Sequence, residues 1–202
     1  MSRVVARALT RGLVIVALIT LAGGCAGSSQ LIPTQPSAVT QQLVVRSLER
    51  ALTQLDVSRF AGRKVSIELT SQSYGAQSFA KEFVATWLEA RGVRVTSDSP
   101  DLTLKVIASV LGTDRGETFF GIPQLQSTLI GIPTPEISLF KWVRNRGLTE
   151  MSVFAFDART NTFLETVGPG IGRSMQDDVT ILIIINFTRT DVEDRPPAPV
   201  RP

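Results

Sequence analysis

The order of periodicities along this chain predicts a two-layer α/β domain, with two main helices packed on a mixed sheet of about five or six strands. Three observations carry that expectation. Apolar residues recur at three- and four-residue steps over Val39–Leu55 and again over Phe79–Leu88, the period of a helix with one buried face. Strict alternation at Lys64–Thr70 and near-strict alternation at Leu102–Val110 give the two-residue period of half-buried strands. Hydrophobic residues make up 43% of the 202, enough to fill one core at this size.

Each element has its own signal. Ser37 is placed to cap a helix carrying Val39, Leu43, Val44, Leu48, Ala51, Leu52 and Leu55, with Arg46, Glu49 and Arg50 on the opposite, solvated face. Gly62 breaks the chain before the strand Lys64–Thr70, whose Val65, Ile67 and Leu69 point one way. After the polar loop Ser71–Gly75, Phe79, Phe83 and Trp87 fall four residues apart on a second helix, where packing against the sheet is expected of all three. Gly92 suits the left-handed position that ends it. Val93–Val95 reads as a short strand, and Leu102–Val110 as a longer one.

Residues 113–147 break the pattern and read as an apolar insertion containing Gly and Pro. Gly-Ile-Pro occurs at 121–123 and again at 131–133. Each proline removes a backbone donor and interrupts regular structure. Leu139–Val143 makes a short amphipathic piece. Two readings of the insertion stand side by side. In one it folds over the sheet and completes the core. In the other Phe119, Phe120, Ile122, Ile130 and Ile132 form an exposed contact for a partner or ligand. Beyond it, Leu148–Phe156 and Thr162–Val167 are expected to pair across the turn Asp157–Asn161. Gly168–Ser174 reads as a turn or bulge, since the Lys-Ser/Thr of a phosphate loop is missing. Val179–Phe187, apolar at nearly every position, reads as a central strand buried on both faces. The proline-bearing tail 191–202 is expected to be disordered.

The front of the chain is an address. Arg3, Arg7 and Arg11 precede the apolar run Leu13–Ala22 and the small Gly23-Gly24, the layout of a secretory signal over residues 1–24. The run is roughly half the about 20 residues a membrane span needs. Residues 25–37, small and polar with Pro33 and Pro36, read as a flexible tether, and 38–190 as a single domain.

Charge and composition exclude several classes. Three of the 21 basic residues lie in the first 24 positions, which leaves 18 against 18 acids. No basic field remains for a nucleic acid. The histidine count is zero, which removes imidazole acid–base chemistry, Ser-His-Asp systems and His-ligated zinc. No metal, cofactor or catalytic constellation is expected. The chain reads as a non-enzyme.

Ala22-Gly23-Gly24-Cys25 resembles a bacterial lipobox, with Ala22 where Leu is usual and Leu21 one place earlier. The resemblance implies diacylglycerol on the Cys25 sulfur, cleavage before it, and a further acyl chain such as palmitate on the new amine. Ala26 rather than Asp after the cysteine implies the outer membrane. The element order over Val39–Val110 resembles uncharacterised proteobacterial lipoproteins. It is also similar to the periplasmic domain of curli-secretion-type lipoproteins, whose members form outer-membrane assemblies, although no channel-forming hairpins are visible in this sequence. Cys25 is the one functional residue these resemblances transfer. The expected function is therefore a lipid-anchored protein on the periplasmic face of the outer membrane. It would bind an envelope protein, or itself, in envelope assembly or maintenance. The alternative is a carrier of a lipid or apolar ligand, with 119–133 as its lid.

Overall fold

The computed structural model describes residues 37–72, 74–124 and 135–192. It is a two-layer α/β fold whose elements run α1 (Ala38–Leu52), a 3-10 turn (Ser58–Phe60), β1 (Lys64–Ser71), α2 (Tyr74–Glu89), β2 (Arg94–Val95), β3 (Leu102–Ile122), β4 (Ile137–Asp157), β5 (Phe163–Ile181) and β6 (Ile185–Thr190). The strands form one mixed sheet in the order β2-β1-β3-β4-β5-β6. β1 pairs in parallel with both β2 and β3, Val65 lying opposite Val95 on one side and Leu102 on the other. The chain divides into two compact units. The larger takes in 33–116, 144–177 and 189–202; the smaller includes 117–143 and 178–188. β3, β4 and β5 contribute residues to both.

Within the larger unit, local chemistry explains the elements. The Ser37 hydroxyl accepts from the Thr40 N–H at 3.2 Å and caps α1. Gly92, at φ +79°, closes the chain after α2 and donates to the Glu89 carbonyl at 2.9 Å. The Asp157 carboxylate accepts from the backbone of Arg159 and Thr160 at 3.0 and 2.9 Å and builds the β4–β5 turn, with Asn161 in the left-handed region. Both helices cover one face of the sheet. Leu48, Ala51 and Leu52 of α1 share a core with Val84, Trp87 and Leu88 of α2, Leu104 and Val106 of β3, and Met151 and Val153 of β4.

Five expectations change here. Gly168–Ser174 is no turn: it lies inside β5. Its glycines let α1 approach backbone to backbone. A Cβ at Gly170 would collide with the Ala51 carbonyl oxygen, and one at Gly172 with that of Ser47. Val179–Phe187 is not a central strand buried on both faces. β5 ends at Ile181, the chain reverses, and β6 begins at Ile185 with every residue exposed. Arg46 and Glu49 are not solvated: both are buried and paired at 2.8 Å. Phe79 does not reach the core that takes Phe83 and Trp87; it is 47% exposed. The described parts of 113–147 are regular strand, β3 running on to Ile122 and β4 starting at Ile137. Residues 193–202 of the tail, together with the signal and tether up to 36, lie outside the described residues.

Candidate functional site

Two surfaces stand out, one in each unit, and their chemistry differs. In the smaller unit the surface is aliphatic. The β5–β6 reversal places Leu182 and Ile183 in the left-handed region, at φ 49° and 71°. Tight hairpins put Asn-Gly or similar pairs at such positions, because a side chain branched at Cβ is crowded there. The backbone is nonetheless satisfied. Leu182 N–H donates to the Leu139 carbonyl at 2.9 Å, Ile183 N–H to Ser138 at 3.0 Å, and Ile184 N–H to Leu182 at 2.8 Å. The side chains face outward: Leu182, Ile183, Ile184, Ile185 and Phe187 are all exposed, Ile184 to 80%. Phe120 and Ile122 of β3, and Ile137 and Leu139 of β4, are exposed in the same unit. Among the described residues, these nine outnumber the four large exposed hydrophobics of the larger unit, although the smaller unit is much the shorter.

The residues singled out in 119–132 divide accordingly. Phe120 and Ile122 point to solvent at 59% and 56% exposure, while Phe119 is half-buried. Lys141 lies near the Phe119 ring, 6.0 Å from its centre. The Lys141 amine is held at 2.9 Å from Glu136 and 3.4 Å from Glu117. Burial disfavours the charged amine, yet the two carboxylates outweigh it and raise its pKa. Ile130, Ile132 and Cys25 lie outside the described residues, as does most of the lid segment.

In the larger unit the surface is aromatic. The face of the sheet opposite the helices carries Thr103, Lys105 and Ile107 of β3 beside Phe154 and Phe156 of β4. Phe163 of β5 meets Phe156 edge-on at 5.7 Å, and the Lys105 amine sits 4.6 Å from the Phe156 ring centre. Phe163 and Ile107 are about half exposed, at 52% and 46%. The sequence marks these positions only as the second face of alternating strands. Ile107, an apolar residue where the pattern calls for a polar one, was the available signal.

The helix-covered seam holds polar groups too, and they are used internally. The Ser47 and Thr149 hydroxyls bond at 2.8 Å, and Ser174 donates to the Leu43 carbonyl at 2.7 Å. Gln54 grips the Ile171 backbone from both sides, donating at 2.6 Å and accepting at 3.1 Å. No group of three or more His, Cys, Asp or Glu among the described residues is placed to hold a metal. No helix among them is long and apolar enough to cross a membrane.

Comparison with known proteins finds no matching family model and no matching curated protein. Among solved structures the chain is similar to a dodecameric PelC variant from Paraburkholderia phytofirmans. The identity is 10%, the alignment covers 68% of this chain and 77% of that one, and the TM-score is 0.32. A likeness of that size carries neither fold nor function across.

Proposed function

We propose that this chain is a lipid-anchored protein on the periplasmic face of the outer membrane, and that its folded part is a non-catalytic module that holds an envelope protein. The observation that carries the binding role is the open aromatic face of the larger unit. Half-exposed Phe163 and Ile107 beside Phe156 give this sheet face the aromatic surface that is enriched in the core of protein interfaces. The anchor rests on Cys25 and the signal before it, and the absence of histidine favours holding over transforming. The test is site-specific photocrosslinking in living cells with the full chain. A photoreactive residue at Phe163 is expected to trap one reproducible envelope protein that a probe at Thr160 does not, and Phe163→Asp is expected to abolish its co-purification. Equal labelling from both positions, or none, removes the reading.

A further inference from the structure

The aliphatic turn of the smaller unit needs its own explanation, because the aromatic face of the larger unit does not account for it. We propose that the Leu182–Ile185 turn enters the acyl layer of the membrane to which the chain is tethered; this rests on the anchored reading above. Four observations select lipid over a protein partner or a second copy.

First, the turn is built against its own local preference. Leucine and isoleucine hold left-handed positions that glycine and asparagine fill at less strain, and the isoleucine is branched at Cβ. Such residues are retained for what their side chains touch. Second, the residues are aliphatic. Leu182-Ile183-Ile184-Ile185 contains none of the Trp, Tyr or Arg that concentrate binding energy in protein interfaces, and leucine and isoleucine are among the side chains that partition most readily into hydrocarbon. From Val179 to Phe187 no side chain is charged. Third, the N–H groups of Leu182, Ile183 and Ile184 already have carbonyl acceptors, so taking the turn out of water strands none of these donors. Fourth, the anchored reading supplies the occupant: Cys25 stands twelve positions before Ser37, so its acylation holds Ser37 within ~40 Å of an acyl layer.

The geometry also limits the depth. Only Val179 to Ile181 of the uncharged stretch runs as strand, a rise of ~7 Å before the chain reverses, against a hydrocarbon core of about 30 Å. The turn therefore enters one leaflet and does not span.

The experiment uses the mature full chain, purified from membranes and reconstituted into vesicles of phosphatidylethanolamine and phosphatidylglycerol. An encoded environment-sensitive fluorescent residue replaces Ile184, and Thr160 in a control chain. At 184 the emission is expected to shift to the blue and to be quenched by nitroxides on the lipid acyl chains at least about threefold more than at 160. Emission at 184 as water-exposed as at 160 overturns the proposal. A blue shift without acyl-nitroxide quenching also overturns it, since it places a protein, or another copy, over the turn. With Leu182→Asn and Ile183→Gly, which suit the turn better and so preserve folding, the probe at 184 is expected to return to the water-exposed value. Persistent quenching there would trace to the fluorophore and sink the idea. The intact mass reports Cys25 acylation separately. An unacylated chain with a quenched probe removes the anchor and keeps the lipid contact, and an acylated chain with a water-exposed probe does the reverse.

Discussion

The middle of β5 and the turn that follows its last residue, Ile181, have opposite fates. At Gly170 and Gly172, where there is almost no side chain to bury, the strand is covered by α1 so closely that a methyl group would not fit. Ten residues further on, where side chains are among the most apolar in the chain, Leu182 to Ile185 stand exposed. Hydrophobicity alone therefore says little about where a segment ends up. Small residues bury by letting backbones meet. Large apolar residues bury when the chain brings a neighbour over them, and in the smaller unit that neighbour is proposed to be lipid.

The contrast can be broken or sharpened by substitution. The largest effect is expected from one residue type in two settings. Leu104→Ala, at a fully buried position, should cost about 2–5 kcal/mol in urea unfolding of the full chain. Leu182→Ala, 59% exposed, should stay within ~0.5 kcal/mol. Equal costs would mean that the turn is buried after all. Gly172→Ala comes next. Its added methyl meets the Ser47 carbonyl, so α1 must move, at a cost of about 1–3 kcal/mol. A neutral result would refute the close approach.

A third change reverses the sign. Leu182→Asn with Ile183→Gly should raise the unfolding free energy by roughly 1–2 kcal/mol, because residues at home in the left-handed region relieve the strain. Stability would rise while lipid contact falls, which separates the two roles of the turn. The smallest effect concerns pH. Hydrogen bonds from the Thr160 backbone and hydroxyl and the Arg159 backbone hold the Asp157 pKa below its ordinary value. A depressed carboxylate stabilises the fold above its unfolded pKa and loses that contribution as pH falls through the folded value. Asp157→Asn should therefore flatten the stability profile slightly below about pH 4 and leave its shape at neutrality unchanged.

The larger unit was the more legible of the two in the sequence. α1, β1, α2 and the first half of β3 announce themselves because each has one buried face and a clean period. Ser37, Gly92 and Asp157 mark ends with the chemistry those ends require. The second half of β3 and the start of β4 did not, because Gly-Ile-Pro suggests irregular structure and its first copy sits at a strand's very end, Ile122 and Pro123. The glycines of β5 mimic a turn signal, and only the helix that packs on them shows otherwise. Arg46 and Glu49 look like a solvated face until they are seen paired and buried. Of the candidate contacts, Phe120 and Ile122 were visible as apolar residues outside any period, whereas Leu182 to Ile185 looked like the deepest core in the chain. Periodicity cannot tell a segment that neighbours cover from one that a separate phase covers.

The alternation Gly170-Ile171-Gly172-Arg173-Ser174 reaches beyond packing. Shifting β5 by a single position would thrust Ile171 and Arg173 at α1, where no room exists for either. The helix thus acts as a gauge that accepts one alignment of this strand, and through it fixes which residues come out at the far reversal.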